Sequence, residues 1–339
     1  MAEPTVSAGY AKALLDFAVH AGADEARLLK RAGIDAEALL DQDNRLPFAR
    51  YVDLMHAAKD LTGDPALPLE FGADSDFRKW SVVGLISFAA ADMTEAFAQL
   101  NRYGGLVVEV EGIGEGPRFG VVVQDGEFWM VDRRGNPNEF PELTESTWSR
   151  FICTSRAAYP HATFALAAHV THAEPPHRAA YDRVWQVPIT FDSHWNAIKV
   201  HPAWLTLKLD GGNRYAFGVL AEKADALLKE LQASTTQRGQ VESLLMPMLH
   251  TGDISMEAIA AKIGVSRQTL YRNLKAEGVT FEQVLDALRH KMALDYLKAR
   301  KVSVNETAYL VGFSDPAAFS RAFKRWTGIN PREARGLKG

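Results

Sequence analysis

Residues 259–276 read Ile259-Ala260-Ala261-Lys262-Ile263-Gly264-Val265-Ser266-Arg267-Gln268-Thr269-Leu270-Tyr271-Arg272-Asn273-Leu274-Lys275-Ala276. About 48 residues later, 307–326 read Thr307-Ala308-Tyr309-Leu310-Val311-Gly312-Phe313-Ser314-Asp315-Pro316-Ala317-Ala318-Phe319-Ser320-Arg321-Ala322-Phe323-Lys324-Arg325-Trp326. In both, Ala precedes Gly by four and Ser follows Gly by two. Two large apolar residues then come four apart, Leu270 and Leu274 in the first copy, Phe319 and Phe323 in the second. The pattern is helix, tight turn, helix, and it occurs twice on one chain.

Each position has a physical role. Ala260 and Ala308 are small enough for a second helix to approach. Gly264 and Gly312 stop the first helix, where a left-handed residue is needed and Gly carries no Cβ penalty. Ser266 and Ser314 suit the N-cap of the next helix, with Asp315 as the alternative cap in the second copy. Pro316 fits the first helical turn, which does not use its missing N–H. Ser303 and Glu306 have capping-box spacing.

The second helix of each copy has two faces. At 100° per residue, Gln268, Tyr271, Arg272 and Lys275 fall within an arc of about 100°, opposite Leu270 and Leu274. Ala317, Ser320, Arg321 and Lys324 share a similar arc, opposite Phe319, Ala322, Phe323 and Trp326. A helix with one apolar face and one donor-rich face can read a major groove. Arg suits guanine O6/N7, Gln suits adenine N6/N7, and Ala can touch a thymine methyl. Ser266, Arg267, Lys275, Ser314, Lys324 and Arg325 are expected at phosphates. The plain alternative is a helical bundle with a solvated polar face, which does not account for matched punctuation and basic faces occurring twice.

These residues carry a resemblance. Residues 240–339 resemble the DNA-binding domain of the AraC/XylS family of bacterial transcription regulators. The resemblance rests on Ser266 to Leu274, Gly278-Val279-Thr280-Phe281, Arg289, Ala293, Gly312 to Asp315, Phe319 to Gly328 and Asn330-Pro331-Arg332. It implies an all-α domain with two helix-turn-helix subdomains, about 254–276 and 303–326, joined by one long helix from Phe281 to Arg300. It also implies base contacts from Gln268, Tyr271 and Arg272, and from Ala317, Ser320 and Arg321. Pro316 and Ala317 depart from the polar residues common at these positions and cannot donate to a base. Arg321 is then the main specific contact of the second unit.

Charge divides the chain in the same place. Residues 240–339 hold 15 Lys+Arg against 10 Asp+Glu, whereas residues 1–239 hold 23 against 32. The basic end is drawn to phosphate and the acidic part is not. The single cysteine excludes an intrachain disulfide, and a reducing cytoplasm fits. The apolar stretch 8–21 carries Lys12, Asp16 and His20, so it reads as an amphipathic helix. No run approaches the ~20 apolar residues of a membrane span.

Residues 1–212 read as an α+β domain, helices plus an antiparallel sheet. Helices are expected near 8–21, 24–32, 35–41, 47–62, 81–90, 93–103 and 177–185. Strands are expected near 106–111, 118–124, 127–132, 163–170, 187–192 and 196–200, with Asp125-Gly126 turning a two-residue hairpin. Helix 213–232 carries a stripe of Val219 or Leu220, Ala224, Leu227 and Leu231. That stripe packs either on a twin helix of a second chain, giving a homodimer, or on its own domain. Residues 233–239 are expected to link the domains. Arg45-Leu46-Pro47, Gly84, Met93 to Ala96, Arg102-Tyr103, Val184-Trp185 and Phe191 resemble the arabinose-binding-type effector and oligomerisation domain of one branch of the same family. The label does not by itself establish a sugar.

Enzyme chemistry finds little footing. A domain of this family also occurs fused to a methyltransferase with a reactive cysteine. Cys153 here lies in an apolar context with no His or Arg expected beside it to activate it. His169, His172 and His177 match no zinc spacing. Gly112-x-Gly114-x-Gly116 is not followed by a helix and reads as a loop between strands. Trp80, Trp129, Trp148, Trp185 and Trp195 serve either an effector pocket or the core. The chain is therefore expected to be no enzyme, with no cofactor or metal. It is expected to be a ligand-responsive, sequence-specific activator that binds double-stranded DNA, an unidentified small effector and RNA polymerase.

Overall fold

The computed structural model describes residues 3–110, 113, 117–209, 212–251, 254–299 and 302–336. The chain separates into two compact units, Glu3–Leu228 and Lys229–Gly339.

The first unit opens with β1 (Thr5–Ser7), α1 (Ala8–His20), α2 (Glu25–Ala32), a 3₁₀ turn at Ala36–Leu39, β2 (Arg45–Pro47) and α3 (Phe48–Thr62). Next come α4 (Leu67–Asp74), α5 (Val82–Phe88) and α6 (Met93–Tyr103). The hairpin β3 (Phe119–Gln124) and β4 (Glu127–Asp132) precedes α7 (Glu142–Ala158), β5 (Ala165–His169), α8 (Arg178–Trp185), β6 (Ile189–Thr190) and β7 (Asn196–Val200). A short α9 (Pro202–Leu205) leads to α10 (Arg214–Thr235), within which the boundary between the units falls.

The five-stranded sheet has the order β3-β4-β7-β5-β6. All its pairs are antiparallel except β5–β6, which is parallel because α8 crosses between them. Asp125 and Gly126 both take positive φ, 53° and 76°, as a two-residue hairpin turn of this twist requires. Two cores result. Tyr10, Leu14, Leu28, Tyr51, Leu54 and Phe71 pack among the helices; Met130, Trp148, Tyr181, Trp185 and Ile198 pack between the sheet and α7–α8.

Several expected elements differ. Residues 106–110 form no strand. Leu106 ends a 3₁₀ turn, and Val108 makes only an isolated bridge to Val6. The stretch lies at the short β1–β2 pair and not in the main sheet, so no neighbour extends a ladder. The glycine loop 112–116 lies outside the described residues, Ile113 excepted. The helix expected at 35–41 is a single 3₁₀ turn.

Besides the one-turn α9, two helices of the first unit were hidden in the sequence. In α4, Pro68 and Gly72 obscure the period within eight residues. In α7 the buried side is largely polar: Glu142, Thr144, Glu145, Ser146, Thr147, Ser149 and Arg150 are buried beside Leu143, Trp148 and Ile152. Partners in three dimensions make this tolerable. Lys59 Nζ pairs with Glu142 at 2.8 Å, Trp185 Nε1 donates to Ser149 Oγ at 2.8 Å, and the Tyr181 hydroxyl donates to Glu145. Burial lifts the Glu145 carboxyl to about 7.

Part of the stripe on α10 packs within its own chain, while Val219 is exposed. Leu220, Ala224 and Leu228 pack on the helical core, and Asp225 accepts from Arg102 and Tyr103, both at 2.7 Å. The stretch 233–239, expected to link the domains, is largely helical. It is the end of α10, the Thr236 cap, and the first turn of α11 (Gln237–Leu245), because Thr236 Oγ1 takes the Gly239 N–H at 2.9 Å.

The second unit continues with a 3₁₀ turn (Met246–Thr251), α12 (Met256–Ile263), α13 (Arg267–Ala276) and α14 (Phe281–Ala299). It ends with α15 (Val304–Leu310), α16 (Pro316–Thr327) and α17 (Pro331–Gly336). Its two cores share one helix. Phe281, Val284 and Leu288 of α14 pack with Val241, Leu245, Ile259, Leu270 and Leu274; Ala293 and Leu297 pack with Ala308, Val311, Phe319 and Phe323. Met292 touches both. Among the described residues, no helix is long and apolar enough to cross a membrane.

Candidate nucleic-acid interface

The first helix-turn-helix unit is α12 and α13. Ser255 caps α12, and Gly264 ends it at φ 82° with its N–H returned to the last turn. Ser266 then caps α13 by accepting from Thr269 N at 3.1 Å. Leu270 and Leu274 are buried, while Gln268, Tyr271, Arg272 and Lys275 are exposed. Glu277 closes the unit by accepting from Gln237 N at 2.7 Å and Arg238 N at 2.9 Å, satisfying the start of α11. Asn273, on the buried flank, donates to the Gln237 side chain at 2.8 Å.

The second unit is α15 and α16. Ser303 and Glu306 form the capping box. Gly312 takes φ 81°. Asp315, not Ser314, caps α16, accepting from Ala317 N at 2.9 Å and Ala318 N at 3.0 Å. Two carboxylate oxygens take two orphan donors, which one hydroxyl does less well. Ser314 is left exposed at the turn. Ala317, Arg321, Lys324 and Arg325 are exposed, and Phe319, Ala322 and Phe323 are buried. Ser320 is half-buried and its hydroxyl donates to Pro316 O at 2.9 Å.

Arg289 of α14 braces the second turn. Its Nε donates to Val311 O at 3.1 Å and an Nη to Gly312 O at 3.2 Å. Its guanidinium stacks on Phe313, 4.8 Å from the ring centre. Two carbonyls of the turn just past α15 are thus satisfied by a side chain from α14. Burial pulls the Arg289 guanidinium below its ordinary value, against the opposing charge of Asp286.

The cations expected at bases and phosphates divide into two groups. Arg267 pairs with Glu257 at 2.6 Å, and Arg325 pairs with Asp286 at 2.8 Å, next to the Trp326 Nε1 bond to the same carboxylate at 3.3 Å. Arg321 lies 3.8 Å from Asp315. All are exposed pairs, worth about 0–1 kcal/mol each, and yield readily to a phosphate. No ion pair engages Arg272, Lys275 or Lys324 among the described residues.

The other candidate residues resolve into structural roles. Cys153 does have an arginine beside it, Arg156 Nη2 at 3.1 Å, one turn on along α7. Spacing in the sequence concealed this because the helix was not recognised. Burial still pushes the thiol up, against the opposing guanidinium. His169 pairs with Ser193 Oγ at 3.1 Å, and His172 lies 3.4 Å from the Tyr181 hydroxyl. No group of three His, Cys, Asp or Glu among the described residues could hold a metal. Trp148 and Trp185 are fully buried packing.

Paired helix-turn-helix units with one exposed basic face each, mounted on a shared helix, define a DNA-binding regulator. The description "Arabinose-binding domain of AraC transcription regulator, N-term" matches residues 22–209, and a helix-turn-helix domain matches 259–336. The chain belongs to the AraC family of transcription regulators, with an N-terminal effector-binding domain and a C-terminal DNA-binding domain. It is 28% identical over 336 residues to the ornithine utilization regulator of Pseudomonas aeruginosa, covering 97% of this chain and 96% of that protein. Over 168 residues it is 27% identical to the regulator VirS of Mycobacterium tuberculosis, half of this chain and 49% of that protein. The crystal structure of the regulator CdpR from Pseudomonas aeruginosa is 19% identical, with a TM-score of 0.40, covering 91% of this chain and 96% of that one. All three carry the name of a regulator.

Proposed function

We propose that the chain is a ligand-responsive activator that reads two successive major-groove segments with α13 and α16 of one subunit. The observation that carries this is the pairing of two outward faces, the exposed Gln268-Tyr271-Arg272 and the exposed Ala317 and Arg321 with half-buried Ser320 between them, on helices whose opposite faces are anchored to α14. Two recognition helices in neighbouring major grooves are separated by one helical turn of duplex, roughly 34 Å. Ser266, Arg267, Lys275, Ser314, Lys324 and Arg325 hold the backbone on either side. An effector in the N-terminal domain shifts the population of DNA-competent states. The activator reading draws support from RhaS of Escherichia coli, named a transcriptional activator and 37% identical over 84 residues. It brings RNA polymerase in as a partner. A homodimer would have to use a face other than the Leu220-Ala224 side of α10, which packs inside the chain.

Footprinting on genomic fragments selected by the purified protein tests the two-segment reading. Two protected segments about one helical turn apart are expected. One segment alone, or equal binding to scrambled sequence at physiological salt, overturns it. Transcription with purified RNA polymerase from a selected fragment should rise when the protein is added; a fall would make it a repressor.

A further inference from the structure

Two cavities in the N-terminal unit share a wall made of Phe77, Leu100, Arg150 and Phe151. The smaller, about 110 Å³, is apolar and floored by Phe88, Phe97, Met130 and Trp204. The larger, about 360 Å³, adds Asn101 and Thr147. Arg150 is the cation common to both.

Arg150 is only 9% exposed. Its guanidinium lies against an aromatic box, 5.1 Å from the ring centre of Tyr10, 5.3 Å from Trp80, 5.8 Å from Phe71 and 5.9 Å from Phe77. Its one hydrogen bond runs from Nη2 to the Tyr10 hydroxyl at 3.3 Å, and Nε has no partner. No carboxylate among the described residues forms an ion pair with it. Half-buried arginines of this unit are provided for. Arg118 makes two bonds to Asp132, at 3.0 and 2.9 Å. Arg134 donates to the carbonyls of Pro137 and Phe140 and to the Thr144 hydroxyl.

A buried charge without an ionic partner is costly, and rings recover only part of that cost because they leave the in-plane N–H groups unmet. We propose that Arg150 is the anchor for a carboxylate on the effector, a small monocarboxylic acid with an aromatic or alkyl body lying in the apolar cavity. This rests on the reading of the N-terminal unit as effector-binding. Charge fixes the class. One unpaired cation is neutralised by one negative charge, whereas a phosphate dianion leaves an excess in an apolar site. A carboxylate also meets two parallel guanidinium N–H groups in one plane. The apolar floor then selects the body of the acid.

The test uses the full chain with benzoate, phenylacetate and octanoate, the matching amides, and inorganic phosphate. Tryptophan fluorescence, to which Trp204 in the cavity wall contributes, and the melting temperature report binding. At least one acid should bind, with its amide and phosphate weaker by about tenfold or more. Arg150→Gln should lose that preference and Arg150→Lys keep part of it. Arg150→Met should leave the melting temperature of the unliganded protein unchanged or raised, because an unpaired buried charge is removed. Absence of binding by every acid, amides as tight as acids, or unfolding by both Arg150→Gln and Arg150→Met overturns the proposal; the last outcome makes the guanidinium a packing element of the aromatic box. Binding of a genomic DNA fragment, measured alongside, separates the two readings. An acid that binds through Arg150 without altering DNA affinity sinks the effector role and leaves the carboxylate site standing. A neutral amide that alters DNA affinity with Arg150 irrelevant does the reverse.

Discussion

In the first helix-turn-helix unit an added Cβ at Gly264 would meet open space, whereas in the second a Cβ at Gly312 would collide with the carbonyl of Leu249. The turn sequences look alike, yet one glycine answers only to its φ and the other also to a neighbouring backbone. The contrast extends along each unit. The first is capped by a hydroxyl and presents Gln268, Tyr271, Arg272 and Lys275, and among the described residues no ion pair engages the cations of α13 beyond the cap-proximal Arg267. The second is capped by a carboxylate, clamped by Arg289, and commits Arg325 and Trp326 to Asp286 and the Ser320 hydroxyl to Pro316. A repeat in sequence has thus been divided in chemistry, one copy with its outward cations less engaged and one more firmly built.

The largest test of this contrast is a pair of alanine substitutions. Gly264→Ala should cost about 1–2 kcal/mol, the price of a left-handed non-glycine residue. Gly312→Ala should cost roughly 2–5 kcal/mol, because backbone displacement is added. Urea unfolding followed by amide exchange in α12–α13 and α15–α16 measures both; equal costs would erase the distinction.

Base reading comes next. Arg272→Ala should lose about 1–3 kcal/mol on a selected site and relax one base pair. Arg321→Ala should lose less, since Asp315 already competes for that guanidinium. Competition binding on site variants ranks the two, and the reverse order would move the reading to α16.

The caps should differ more modestly. Asp315→Ala removes two accepted N–H bonds and Ser266→Ala removes one. Each should cost about 0.5–2 kcal/mol, with the aspartate at the upper end. Thermal melts at low and high salt check this, because only the aspartate carries a charge that salt screens.

The smallest effect concerns phosphate. Asp286→Asn frees Arg325 and removes a negative charge beside it. Affinity for specific and scrambled duplex should rise alike, with the salt slope steeper by about one unit. A change confined to the specific site would place Arg325 at a base.

Much of the DNA-binding unit could be read from the chain because its signals are local. Gly264, Ser266, Gly312 and the Ser303–Glu306 box act within one turn, and the periodicity of Leu270, Leu274, Phe319 and Phe323 names the buried sides. The choice of Asp315 over Ser314 as cap was also open to sequence reasoning, which offered both. Arg289 was noticed as part of a resemblance, but its purpose depends on Val311 and Gly312, which reach it only when α14 lies under α15. In the N-terminal unit α7 escaped notice, since its buried residues are serines, threonines, glutamates and an arginine. No apolar period marks a helix whose inner face is satisfied by Lys59, Tyr181 and Trp185.

The sequence by itself determined a basic, twice-repeated helix-turn-helix end and an acidic α+β remainder, because caps, left-handed glycines and helical periodicity are properties of neighbours along the chain. Tertiary structure decided the rest: the lock on Gly312, the ion pairs of Arg267 and Arg325, the inward packing of α10, and the burial of Arg150 without an acid. Those depend on groups distant in sequence, and a charge is paired or unpaired only once the fold has chosen what stands beside it.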